Sequence, residues 1–192
     1  MVANLAKGGV VKIFDRPSGD LVLNDCGVIG RLQNGKVISS QWIDREFQCR
    51  VDAQGWTVNG YLQEVPSNRV FNPLRGLLFR TVLVALGWSS SLSHLLKGRI
   101  RKSLMLGSRR VPVRFMRQFE MKEGILITDE LQIGQGARVV DLAIGGEFFV
   151  RYVPQSRYFQ SQELMTASRR LSAAQLETLN TSRKLVLRYK VE

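Results

Sequence analysis

Side chains that build metal centres and disulfide frameworks are scarce in this chain. Its 192 residues include two cysteines, Cys26 and Cys49, and one histidine, His94. Two cysteines outside any C-x-x-C pair are too few for a disulfide scaffold or a cysteine-based zinc site. A single histidine excludes paired-histidine metal sites and speaks against a Ser-His or Cys-His nucleophilic system. Cys49 alternates with Phe47 and Val51, which predicts a buried thiol on a strand; whether it meets Cys26 stays open. No Gly-rich phosphate loop of the Walker type occurs, and the Gly-x-Gly at Gly134 and Gly136 stands alone. No metal, cofactor or catalytic constellation is therefore expected.

Long apolar runs are missing too. The longest charge-free apolar stretch, Thr81 to Leu96, is interrupted by Gly87, serines and His94. It falls short of the roughly 20 apolar residues that a membrane-spanning helix needs. The N-terminal Met-Val-Ala-Asn-Leu-Ala-Lys-Gly-Gly has no apolar run of the signal-peptide kind, which places the protein in the cytoplasm if Met1 is the native start.

The most informative absence is of acid. The chain carries 28 Lys and Arg against 16 Asp and Glu, a formal net charge of +12. Residues 1–64 are balanced at seven and seven, and residues 120–192 hold ten basic and nine acidic side chains. Between them, 55 residues from Val65 to Phe119 carry eleven basic side chains and no acidic one. A net charge spread over the whole surface would suggest a generally basic protein, whereas this excess sits in one segment. A positive surface of that kind attracts polyanions. The candidate polyanion-binding residues are Arg75, Arg80, Lys97, Arg99, Arg101, Lys102, Arg109 and Arg110.

What is present is mostly β grammar. Val10 to Phe14, Leu21 to Leu23 and Val28 to Leu32 are short apolar runs, each followed by turn residues. Asn34-Gly35 between apolar runs is a hairpin signal, because both residues tolerate the positive φ of a tight turn. Phe47, Cys49 and Val51 alternate with polar residues, and after Asp52 to Gly55 the pattern resumes through Trp56, Val58, Gly60 and Leu62, which is period two with one polar face. At Asn72-Pro73 the grammar becomes helical, with Asn as N-cap and Pro at the first helical position. Leu74, Leu77, Leu78, Val82, Ala85 and Leu86 then recur at spacings of three and four, and a second helix is expected over about 92–106. From Val111 through Val113 and Phe115 alternation returns, with turns at Lys122-Glu123-Gly124 and Gly145-Gly146 and strands at Ile125 to Ile127, Arg138 to Ala143 and Phe148 to Val153. Ser172-Ala-Ala-Gln175 is a capping box opening a short helix, and Leu185, Leu187 and Tyr189 alternate in a last strand. The pattern predicts one mainly β domain, an antiparallel β-sandwich, with a basic helical insertion at about 72–106 and a short C-terminal helix.

Three stretches carry a family resemblance. Val113-Arg-Phe-Met-Arg-Gln-Phe-Glu-Met-Lys-Glu-Gly-Ile-Leu-Ile-Thr-Asp-Glu-Leu131 resembles the strand, turn, strand unit in the C-terminal β-sandwich of heparinase II/III-like polysaccharide lyases. Lys7-Gly8-Gly9-Val10 and Asp20-Leu-Val-Leu-Asn-Asp25-Cys-Gly27 resemble the start of that sandwich. The resemblance implies a lyase-type super-sandwich and a polysaccharide-associated role. It also implies that the catalytic residues belong to an N-terminal helical toroid, which 192 mostly β residues do not contain. His94 matches no catalytic position of the family, so no catalytic residue is carried over.

The expected function is therefore a non-catalytic β-sandwich portion that binds or positions an acidic polysaccharide, alongside an N-terminal catalytic portion or partner chain. Arg151, Arg157, Tyr158 and Phe159, at the end of a strand, are candidates for glycan contact. Trp42, Trp56, Tyr61 and Tyr152 are further aromatic candidates, of which Trp56 and Tyr152 read as core. Two alternatives stand beside this reading. The basic helical pair, with Trp88 at its joint, has the make-up of an element that docks on an anionic membrane surface or a protein partner. A nucleic-acid-binding protein is the third reading, although no recognised nucleic-acid module is present.

Overall fold

The computed structural model describes residues 1–41, 44, 46–65, 77, 80, 81, 109–121, 124–145 and 168–191. The chain divides into two compact units, Met1–Glu64 with Arg110–Glu192, and Val65–Arg109. In the second unit Leu77, Arg80 and Thr81 are helical and exposed. The Thr81 hydroxyl donates to the Leu77 carbonyl at 3.0 Å, one turn back. The remainder of the insertion expected at 72–106, and the strand expected at Phe148 to Val153, lie outside the described residues.

The first unit is mainly β, as the alternation predicts, and its antiparallel sheets curl into a half-barrel. A three-stranded sheet is ordered β1 (Val2–Asn4), β2 (Val10–Phe14), β3 (Leu21–Asp25). The larger sheet comprises β4 (Val28–Leu32), β5 (Val37–Ser39), β6 (Gln48–Asp52), β7 (Gly55–Glu64), β8 (Arg109–Met121), β9 (Ile125–Ile133), β10 (Val139–Ile144), β11 (Arg169–Arg170) and β12 (Lys184–Val191). Its strand order is β11-β10-β4-β5-β7-β8-β9-β12, with β6 paired to β7 off that path. The expected Asn34-Gly35 hairpin joins β4 and β5, and Gly35 takes φ +79. In the β8–β9 hairpin Met121 pairs with Ile125 and the register runs unbroken to Val113 opposite Ile133.

Period two decides which side chains go inside. On β8, Val111, Val113, Phe115, Arg117 and Phe119 are all buried, and on β9 Ile127, Asp129, Leu131 and Ile133 are. The apolar ones among them join Val11, Ile13, Leu23, Val28, Trp56, Val58, Leu62 and Leu142 in one core, and burial of such side chains is worth about 1.5–3 kcal/mol each. The Trp56 and Phe119 rings stack at 3.8 Å between centroids. Gly55 lets the β6–β7 turn lie directly on β8, since a Cβ there would collide with the Phe119 carbonyl, and the Met121 N–H donates to the Gln54 carbonyl at 2.7 Å.

The C-terminal helix, Ala173–Ser182, starts at the predicted capping box. The Gln175 N–H donates to Ser172 Oγ at 3.3 Å, and the Ser172 N–H to Gln175 Oε1 at 2.9 Å. Leu179 is buried in the core. Asn180 exchanges two hydrogen bonds with the backbone of Val139, at 2.9 and 2.8 Å. Near this helix the two ends of the large sheet approach each other, because the Arg169 guanidinium of β11 lies 3.6 Å from the Tyr189 ring centroid of β12.

One expectation is corrected. Cys49 is on a strand, but every residue of β6 is exposed. Among the described residues strand β6 pairs only with β7, outside the main path of the sheet, so alternation there marks a pleat without marking burial. Cys26 is buried, and no disulfide joins the two cysteines.

Candidate functional site

Two charged neighbourhoods lie on opposite faces of β8. Inside, Arg117 takes an inward position between Phe115 and Phe119 and is 0% exposed. Directly opposite on β9 is Asp129, and facing both from β3 is Asp25. The five N–H donors of the guanidinium all find acceptors. Nε donates to Asp129 Oδ1 at 2.6 Å and Nη2 to Asp129 Oδ2 at 3.0 Å. Nη1 donates to Asp25 Oδ1 at 2.6 Å and to the Gly9 carbonyl at 3.2 Å, and Nη2 also reaches Asp25 Oδ2 at 2.9 Å. Both carboxylates are thus held in two-pronged contact with one planar cation, the geometry in which arginine binds most strongly.

The remaining partners complete this network. The Tyr189 hydroxyl donates to Asp25 Oδ2 at 2.8 Å, and the Gly27 N–H to Asp25 Oδ1 at 2.8 Å. Burial raises the Tyr189 pKa far above the ordinary phenol value, and the nearby Asp129 and Asp25 raise it further against the opposing Arg117 charge. Burial works against the Arg117 charge, but attraction to Asp129 and Asp25 outweighs it and holds the guanidinium protonated. Gly9, at φ +75, brings the carbonyl into place where no larger residue fits. A Cβ there would meet Val58, Trp56 and Arg117 itself at 2.9–3.0 Å. Since Gly9 and Asp25 flank or belong to the small sheet while Arg117, Asp129 and Tyr189 belong to the large one, the network ties the two sheets together. Burying an unmatched ion costs several kcal/mol, and this closure of every donor is what makes the arrangement tolerable.

On the outer side of β8, Arg110 is also engaged. It donates to both oxygens of Asp44 at 3.0 Å and to Glu46, while Gln63 donates to the same Asp44. Partial burial pushes the Asp44 pKa up, and the Arg110 hydrogen bonds and charge bring it below its ordinary value; Glu46 is lowered chiefly by its Arg110 hydrogen bond. Of the other candidate polyanion residues, Arg80 and Arg109 are exposed, and Arg75, Lys97, Arg99, Arg101 and Lys102 lie outside the described residues. So do the glycan-contact candidates Arg151, Arg157, Tyr158 and Phe159.

Further along the outer face, Arg114 behaves differently. It is exposed and stands opposite Gln132 of β9, which in turn stands opposite Lys184 of β12. On its other side is Asn59 of β7, whose Oδ1 accepts from Arg114 Nη2 at 3.4 Å. The row Asn59, Arg114, Gln132, Lys184 crosses four strands. A depression of about 180 Å³ opens at its centre, lined by Asn59, Arg114, Phe115, Met116, Glu130 and Gln132. Glu130 accepts from Gln132 Nε2 at 2.6 Å and pairs with Lys184 Nζ at 2.9 Å. Its pKa is lowered first by the Lys184 hydrogen bond, against partial burial, with help from Gln132 and the Arg114 charge. Tyr61, 45% exposed, is two residues beyond Asn59 on β7 and so on the same face.

Asp44, Glu46 and Glu130 are all shifted down, toward the permanently ionised state, whereas a carboxylic general acid is held up toward neutrality. The Cys49 thiol is shifted up by desolvation, the opposite of an activated nucleophile. Among the described residues no group of three or more His, Cys, Asp and Glu could hold a metal ion, and no helix is long and apolar enough to cross a membrane. Neither Arg117 with its carboxylates nor the Arg114 row figured among the residues singled out from sequence. No family model, curated protein or solved structure matches the chain.

Proposed function

We propose that the protein is a non-catalytic β-module related to the C-terminal region of heparinase II/III-like proteins, and that it binds or positions an acidic polysaccharide. One observation carries the reading. The three stretches on which the resemblance rests are far apart in sequence, yet each contributes to the same buried network: Gly9 from the first, Asp25 from the second, Arg117 and Asp129 from the third. Short motifs that meet around one closed ion network have a shared physical cause, the joining of two sheets. The polyanion part of the proposal follows from charge. Two arginines of the acid-free segment, Arg117 and Arg110, neutralise Asp25, Asp129, Asp44 and Glu46, so the remaining excess has fewer acids to meet, and its described members Arg80, Arg109 and Arg114 are exposed.

Retention of the chain on immobilised polygalacturonate, with and without Arg99→Glu, Arg101→Glu and Lys102→Glu together, tests this. Retention that falls with salt and with the triple substitution is expected. No retention of the parent chain would sink the proposal. New ultraviolet absorbance from an unsaturated uronate would contradict its non-catalytic part.

A further inference from the structure

We propose that the outer-face row around Arg114 is a subsite for a single carboxylate-bearing sugar unit, an inference that rests on the polysaccharide reading above and assigns it a place. Arg114 has one described hydrogen-bond partner, in the long contact from Nη2 to Asn59, and its charge also acts on Glu130. Its other N–H groups have none among the described residues, in contrast to the fully used Arg117 on the same strand. A planar guanidinium with its fork open matches a carboxylate. On either side stand the side-chain amides of Asn59 and Gln132, and each amide offers both donors and acceptors, as neighbouring sugar hydroxyls require. Glu130 is tied to Lys184 and Gln132, so its charge is already answered and its oxygens remain acceptors for a hydroxyl.

The exposed ring of Tyr61, about 7 Å along the strand from Asn59 by the pleat repeat, gives an apolar face for sugar C–H groups. At about 180 Å³ the depression is smaller than the roughly 300 Å³ at which ordinary ligand pockets begin. It suits one ring of a longer chain rather than a whole ligand.

Calorimetric and NMR titration of the full chain with trigalacturonate at about 150 mM salt tests the subsite, with neutral galactotriose as the comparison. Trigalacturonate is expected to shift the backbone signals of Asn59, Tyr61 and Gln132 and to bind more tightly than galactotriose. Arg114→Gln should weaken it about tenfold or more, the size of a lost charge-assisted pair, and Tyr61→Ala several-fold. Arg188→Gln removes an equally exposed cation two strands away and should change affinity less than about twofold. Thermal unfolding of each variant checks that the fold is kept. Equal weakening by Arg114→Gln and Arg188→Gln, or equal binding of the neutral sugar, would overturn the subsite. If the parent chain is retained on polygalacturonate while Arg114→Gln has no effect, the subsite falls and the broader reading stands; if it is not retained at all, both fall. Tighter binding of a single-stranded oligonucleotide to these same residues would also overturn it.

Discussion

Arg114 and Arg117 stand three residues apart on one strand and face opposite ways. Arg117 is fully buried and spends five donors on two carboxylates and a carbonyl. Arg114 is exposed and has a single long contact with an amide. By composition they are identical contributions to one positive segment. Their difference comes from the pleat alone, which from Val111 to Phe119 sends the odd-numbered residues of β8 into the core and turns the even-numbered ones outward. A count of charges therefore overstates what a partner can meet: part of the positive excess holds two sheets together, and another part pairs with Asp44 and Glu46.

The largest expected effect lies inside. Asp129→Ala leaves the Nε proton of Arg117 and a share of Nη2 without acceptors in a dry core. It should cost about 3–5 kcal/mol, as breaking one partner of a buried ion network does, read from the urea midpoint. A loss below about 1 kcal/mol would mean that water or a neighbour satisfies the guanidinium, and the contrast with the surface would collapse. Tyr189→Phe should cost less, about 1–2 kcal/mol at neutral pH, for one buried hydrogen bond. It should also change the alkaline limb. The Tyr189 pKa is raised in the folded state, so the protein holds that proton more tightly folded than unfolded. The corresponding stability is fully present below about pH 10, where an unperturbed tyrosine titrates, and is lost as pH rises above it. Tyr189→Phe should flatten that decline, and an unchanged alkaline slope would show that the hydroxyl is not held as described.

How much of this could be read beforehand depends on whether the signal is local. Val10 to Phe14, Val28 to Leu32 and the Ser172 capping box are local patterns, and the strands and helix stand where those patterns put them. The half-barrel curl is not local, since it depends on β11 and β12 approaching across the whole sheet. Cys49 shows the opposite failure, because alternation with Phe47 and Val51 is genuine but the strand lies at the margin. Arg117 carried a readable sign. It falls in step with Val113, Phe115 and Phe119, and folding the hairpin about the Lys122 to Gly124 turn sets it opposite Asp129. A charge in register with the core, facing a charge of opposite sign likewise in register, predicts a buried pair. Asp25, from a different sheet, had no such sign. The Arg114 row was hidden because, although the hairpin sets Gln132 opposite Arg114, Asn59 and Lys184 join the row only through sheet order.

The contrast between the two arginines is tested most directly by one measurement, the urea unfolding free energies of Arg117→Met and Arg114→Met side by side. Arg117→Met strands two carboxylates in the core and should lose about 3–5 kcal/mol or fail to unfold cooperatively, while Arg114→Met, on the surface, should stay within about 0.5 kcal/mol of the parent. Equal losses, or a larger one for Arg114→Met, would contradict the division of β8 into a face that holds the fold and a face that meets a ligand.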